Sequence, residues 1–323
     1  MARPPSLTDV TDPIVVEVVR NGFVESVHRA RVVVTAPDGT VCHRAGGVDA
    51  PMYPRSSAKP MQAVAMLRLG HDATGELLAL SGASHSGEAF HRDGAVRMLR
   101  AVGLGAEALQ NTPDLPLDAD ARTAWVRDGH GPEPVAQNCS GKHAGMLSAA
   151  VHSGAGTDDY LRPDHPVQQA CFTAIGDLTG ETPGDLAVDG CGAPLWSVTL
   201  AGLARAFGRI AAATDGPERA VADAFRDHPE WASGTTRDEA ALHRAVPGLV
   251  CKAGAEGVHA IGLPDGTGIA IKVVDGASRG RAAIAARVLR GLGHDHPTLT
   301  EQSTAPVLGH GRPVGEVRVV APF

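Results

Sequence analysis

The chain has 323 residues, 43% of them hydrophobic, and a net charge of -7. That is ample apolar material for a real core, and the mild acidic balance excludes a basic footprint for nucleic acid or a cationic face for a membrane. No window is long and apolar enough to span a bilayer, and the opening MARPPSLTDVTDP lacks the pattern of a secretory signal, so a cytoplasmic chain is expected.

Residues 14–45 read as strands. IVVEVV meets Asn21-Gly22, and RARVVVTA meets Pro37-Asp38-Gly39 before TVCHR; both breaks are hairpin signals. SAKPMQAVAMLRL (57–69) reads as a helix stopped by Gly70. HRDGAVRMLRAVG and KHAGMLSAAVHSG read as further helices, and PVQQACFTAIGDL opens on Pro166 at a first-turn position. Residues 198–246 are Ala-rich and helical in character. The period then changes. GVHAIGLPDGTGIAIKVVDG reads as two strands around Pro264-Asp265-Gly266, RGRAAIAARVLRGLG as a helix and GEVRVV as a last strand. Strands at both ends around a helical middle predict an α+β fold whose terminal strands share one antiparallel sheet. The expected sheet region is about 1–55 and 248–323, and the mainly helical region about 56–247, together one unit.

Of the 29 Lys and Arg residues only four are lysines: Lys59, Lys142, Lys252 and Lys272. Arg-favouring codon usage accounts for the bias. A guanidinium cannot give up its proton, whereas a buried amine can, so each surviving lysine is a candidate site residue.

Ser56 and Lys59 are three apart and share a face on one helical turn. A serine hydroxyl becomes a nucleophile when a neighbouring base takes its proton, and the apolar run MQAVAML would bury such an amine. Pro60 is acceptable in a first turn but disfavours helical geometry at Lys59. The bland reading is a helix cap. Ser84-His85-Ser86-Gly87-Glu88 offers a second hydroxyl, or simply a polar loop. Lys252-Ala253-Gly254 opens the predicted strand pair, its small residues allowing close backbone approach.

The five cysteines are odd in number and far apart, which argues against disulfides. Cys139 and Cys191 each lie in a tight Gly-containing turn. Two thiolates with one more donor would hold a soft divalent ion, with Lys142 or His143 as the third; two buried structural cysteines are the alternative.

RSSAKP, ASHSGE, NCSGKHAGML, DGCGAP and KAGAEGV, in that order, resemble the rhizobial-type (thermolabile, class 3) L-asparaginases, related to S-x-x-K glutaminases and serine β-lactamases. The resemblance runs from about residue 14 to 292. It implies a β-lactamase/glutaminase-like antiparallel sheet packed against a helical domain, hydrolysis of L-asparagine to L-aspartate and ammonia, and a homodimer. It also implies two Ser–Lys pairs: Ser56 with Lys59, and Ser84 with Lys252, for which Lys272 is the fallback. A zinc-type site falls on Cys139, Lys142 and Cys191, and is expected to organise the pocket rather than activate water.

A zwitterionic substrate also needs a cation and an anion. Arg55 is the candidate clamp for the α-carboxylate, Asp189 for the ammonium, and His143 a donor to either oxygen. Asp189 serves equally well as a turn former. In this scheme Lys59 takes the Ser56 proton and an acyl-enzyme forms. The competing readings are a glutaminase, one methylene away; a β-lactamase-like hydrolase; and a non-catalytic zinc-binding module.

Overall fold

The computed structural model describes residues 12–321. It divides into a sheet unit (12–57, 198–212 and 241–321) and a helical unit (58–197 and 213–240). The fold class is α+β, as the sequence predicts.

The sheet unit holds an eight-stranded antiparallel sheet. Its spatial order is Thr304–Gly309, Arg312–Val319, Ile14–Arg20, Phe23–Thr35, Gly268–Val273, Val258–Gly262, Val250–Gly254, with Val41–Ala45 also pairing on Phe23–Thr35. The first and last strands do pair in one sheet: Val16 lies opposite both His28 and Val319. Asn21 and Gly22 both take positive φ, the geometry that a tight hairpin turn requires. Strand Thr304–Gly309 is absent from the sequence reading, because Pro306 and its mixed polarity hide the alternation.

One pleat face carries Val16, Val18, Val32, Ile261, Ile269 and Ile271, packed with Ile284 and Leu289 of helix Arg281–Gly291. The opposite pleat carries Val33, Ala260 and Ala270, and helix Leu200–Ala212 packs there. The approach is so close that a Cβ on Gly262 would lie 2.0 Å from the Phe207 carbonyl oxygen, and one on Gly268 the same distance from that of Ala204. Helical periodicity groups Leu200–Ala212 with the helices; glycine contacts put it with the sheet.

Arg31 on strand Phe23–Thr35 is sealed from solvent and donates from Nε to both carboxylate oxygens of Asp12, 3.0 Å each. Asp12 also accepts from the Gly47 N–H at 3.0 Å.

The helical unit is built on Ser140–His152, buried from Ser140 to Ala150. Lys59–Arg68, Ala89–Ala101 and Pro166–Thr179 pack around it. The expected helix over 57–69 is in fact two pieces. Arg55–Ala58 is a 3-10 turn, and the α-helix begins at Lys59. Pro60 thus falls in a first turn, which removes the conflict its ring posed for a longer helix. Two short helices, Gly75–Ser81 and Ala119–Arg127, escape the sequence reading. The second is capped by Asp118, which accepts from Asp120 N (3.0 Å) and Ala121 N (2.9 Å).

Two buried histidines tie these helices together. His71 lies 2.9 Å from Ser148 Oγ and 3.0 Å from Ser81 Oγ. His91 Nε2 lies 2.9 Å from the Glu230 carbonyl. Burial pushes each down to about 4 from the ordinary 6.5.

Two outcomes follow for stability. Asp12→Ala leaves a buried guanidinium uncompensated and lowers unfolding free energy by about 3–5 kcal/mol, measurable by urea titration. Below about pH 6.5 the unfolded chain binds protons that folded His71 and His91 refuse. Stability is therefore lost as pH falls from about 6.5 to 4, and His71→Gln flattens that slope in denaturation midpoints.

Candidate active site

The helical unit gathers most of the chemistry. Lys59, the first residue of its helix, is 1% exposed. Its Nζ makes three contacts: the Ala83 carbonyl at 2.6 Å, Ser84 Oγ at 2.8 Å and Cys139 Sγ at 3.1 Å. The expected partner Ser56 is not among them. In the structure Lys59 contacts Ser84, the serine that the resemblance pairs with Lys252. Ser56 lies in the 3-10 turn that precedes the helix, and the Lys59 amine is taken up instead by groups from distant stretches of the chain. Ser84 is 7% exposed and follows helix Gly75–Ser81.

Cys139 precedes helix Ser140–His152, and Cys191 sits in the turn joining strands Leu186–Val188 and Pro194–Trp196. Fifty-two residues apart in sequence, they share one buried apolar cluster with Ala193. Lys142 Nζ lies 3.1 Å from Cys191 Sγ. The two sulfurs are driven in opposite directions. Hydrogen bonding between the sulfurs, then burial, pushes the Cys139 thiol well up; the same bond, helped by Lys142, pulls Cys191 far down. Burial opposes the charge on Lys142, yet the sulfurs hold its ammonium above the usual lysine value. The Cys139 sulfur lies 3.0 Å from Asn138 Oδ1 and 3.1 Å from Lys59 Nζ, which donates to it.

His143 is wholly buried. Its Nδ1 lies 2.8 Å from the Tyr160 hydroxyl, which itself accepts from the Gln110 N–H at 3.1 Å. The hydroxyl therefore donates to Nδ1, and Nε2 carries the ring hydrogen. That nitrogen has no partner at bonding distance, and Cys191 is the neighbouring charge. Burial, with Lys142 beside it, takes His143 down to about 4, and burial pushes Tyr160 up to about 12. Of the ring's two nitrogens, Nδ1 is thus taken by Tyr160. Asp189 does form the turn: its Oδ1 accepts from Gly190 N at 2.9 Å, and its carbonyl from Gly192 N at 2.8 Å.

Residues from other motifs belong to the sheet unit. Arg55 takes φ 51°, a strained conformation for a non-glycine residue, and its guanidinium is 3.7 Å from Glu256. Lys252 is buried on strand Val250–Gly254 and donates to the Ala253 carbonyl at 2.9 Å. A Cβ on Gly254 would fall 2.7 Å from the Pro54 carbonyl oxygen and 2.9 Å from Ser57 Oγ. Gly254 thus admits the chain's own 3-10 turn, which is the backbone that approaches closely there. Lys272 donates to the carbonyls of Glu256 and Val273, and burial lowers it.

Tyr160, Asn138 and His85 escape the sequence reading. Tyr160 is one of only two tyrosines, the same scarcity signal that singles out the lysines. His85 and Asn138 sit inside quoted motifs but carry no signal of their own.

The L-asparaginase II family model matches residues 16–319. No curated protein matches significantly. Among solved structures, Mglu in its native form is similar with a TM-score of 0.46 and 15% identity, over 88% of this chain and 70% of that one. Mglu in its glutamate form gives 0.46 and 15%, over 87% and 65%. EstCE1, a hydrolase with promiscuous acyltransferase activity, gives 0.39 and 12%, over 76% and 88%. With the family match running through both units, this chain belongs to the L-asparaginase II family and is an amidohydrolase.

Proposed function

We propose that the protein hydrolyses the side-chain amide of L-asparagine to L-aspartate and ammonia, through a serine activated by Lys59. The observation that carries this reading is the 2.8 Å contact between buried Lys59 Nζ and Ser84 Oγ.

A neutral amine has two hydrogens and one lone pair. The hydrogens satisfy the Ala83 carbonyl and the Cys139 sulfur, and the lone pair receives the Ser84 proton. Ser84 Oγ attacks the amide carbon. Lys59 returns the proton to the leaving nitrogen, ammonia departs, and the same amine then activates water against the acyl-enzyme. Ser56 and Lys252 are retained as the second Ser–Lys set, and Arg55 and Asp189 as partners of the substrate's carboxylate and ammonium. The choice of asparagine over glutamine rests on the family. The ratio of kcat/KM for the two amides tests it.

Cys139, Lys142 and Cys191 would hold a zinc-type ion. The donor set suits one once Cys139 and Lys142 release their protons: two thiolates and a neutral amine, all buried together. Among the described residues no group of three His, Cys, Asp or Glu side chains is placed for a metal, so the set reaches three only through Lys142. When bound, the ion supplies fixed positive charge that ties the Cys139 and Cys191 turns together. A homodimer is proposed on the family resemblance alone, for sedimentation to test.

Ser84→Ala and Lys59→Arg each lower kcat for ammonia release by about 1000-fold or more. Arginine keeps the charge but cannot act as a base, so near-normal activity of Lys59→Arg would sink the scheme. If Ser84→Ala stays active and Ser56→Ala does not, the nucleophile is Ser56. No ammonia from either amide leaves the non-catalytic reading. Elemental analysis of purified protein should find about one metal ion per chain. Cys191→Ser should abolish it and lower the melting temperature.

A further inference from the structure

We propose that His85 is a positioning residue that sets the Ser84 hydroxyl against Lys59 by bonding Ser140. The proposal rests on the reading of Ser84 as the reacting hydroxyl.

His85 follows Ser84 and is completely buried. Its Nδ1 accepts from the Gly87 N–H at 3.1 Å, so Nε2 carries the ring hydrogen and donates to Ser140 Oγ at 2.9 Å. Its backbone N–H donates to the Asn138 carbonyl at 3.0 Å. Asn138 and Ser140 flank Cys139, whose sulfur holds Lys59. These links close a ring. Ser84 Oγ meets Lys59 Nζ, Lys59 meets Cys139 Sγ, Cys139 is joined to Ser140, Ser140 Oγ meets His85, and His85 is joined to Ser84.

Two of these contacts belong to the chemistry. The His85–Ser140 bond is the one whose only task is distance: it fixes how far the serine loop sits from the thiol that aims the lysine. The outer side of the loop is already held, because Ser86 N donates to the Ser233 carbonyl and Asp118 N to the Ser86 carbonyl, both at 2.8 Å. The ring also stacks on His91, centroids 4.9 Å apart and 15° between planes, so it cannot swing to another partner without breaking that packing. A small shift of a nucleophile loop is enough to lose near-attack geometry.

Steady-state kinetics of ammonia release from L-asparagine test this. Ser140→Ala, a small change, should lower kcat by about 10- to 100-fold with KM unchanged. His85→Gln keeps an N–H within reach of Ser140 and should retain more activity than His85→Leu, which only fills the space. Adding Ser140→Ala to His85→Leu should cost nothing further. Normal kcat in Ser140→Ala, a loss confined to KM, equal activity of the Gln and Leu variants, or additive losses would each overturn the proposal. Ser84→Ala separates the two readings. If it is inactive while Ser140→Ala is normal, only the role of His85 fails. If it is normal, the assignment of Ser84 fails and this proposal with it.

Discussion

A buried amine with three contacts organises the helical unit. Lys59 reaches a carbonyl, a hydroxyl and a thiol, which come from two stretches of chain: Ala83 and Ser84 from the loop after Gly75–Ser81, Cys139 from the start of Ser140–His152. A polar group in such a place is costly unless every hydrogen finds a partner. Partner satisfaction therefore fixes the positions of two loops against one helix start. Helix Ser140–His152 is buried on all sides because so much converges on it. Gly141 lets it in, since a Cβ there would lie 2.5 Å from the Leu80 carbonyl oxygen.

A second lysine, Lys142, sits in the first turn of that helix. A cation there works against the helix dipole, which favours anions at the N-terminus. The Cys191 sulfur offsets both that and the loss of water. The result is a buried Lys–thiolate pair one helical turn from the Lys59–thiol contact. The two sulfurs are driven in opposite directions although they share one cluster: the Cys139 thiol is pushed up, while Cys191 is pulled down beside Lys142. The amine set against a hydroxyl thus meets the sulfur pushed up, and the amine set against no hydroxyl meets the one pulled down.

Much of this architecture is legible in the sequence. Alternating Val and Ile runs at both termini announce a shared sheet, because strand periodicity is local and its burial shows directly in residue type. Asn21-Gly22 announces its hairpin for the same reason. Scarcity of lysine points at all four lysines, and all four are buried. The motif order carries the family. What fails is partner choice. Ser56 and Lys59 stand three apart, and spacing alone puts them on one turn, yet the Lys59 amine bonds Ala83, Ser84 and Cys139. Helix Leu200–Ala212 reads as one of the helices, while backbone contact at Gly262 and Gly268 gives it to the sheet.

The sequence by itself determined the inventory: an α+β chain, an asparaginase family pattern, two serines, four lysines and two turn cysteines worth watching. These are properties of composition, local periodicity and short motifs. Only the tertiary structure decided who meets whom. Lys59 takes Ser84 rather than Ser56, Cys139 serves Lys59 as well as Cys191, His143 faces Tyr160, and His85 bonds Ser140. Each of these contacts joins residues far apart in the chain, or depends on where a helix starts, and a hydrogen bond is set by distances of a few tenths of an ångström that no spacing in sequence encodes.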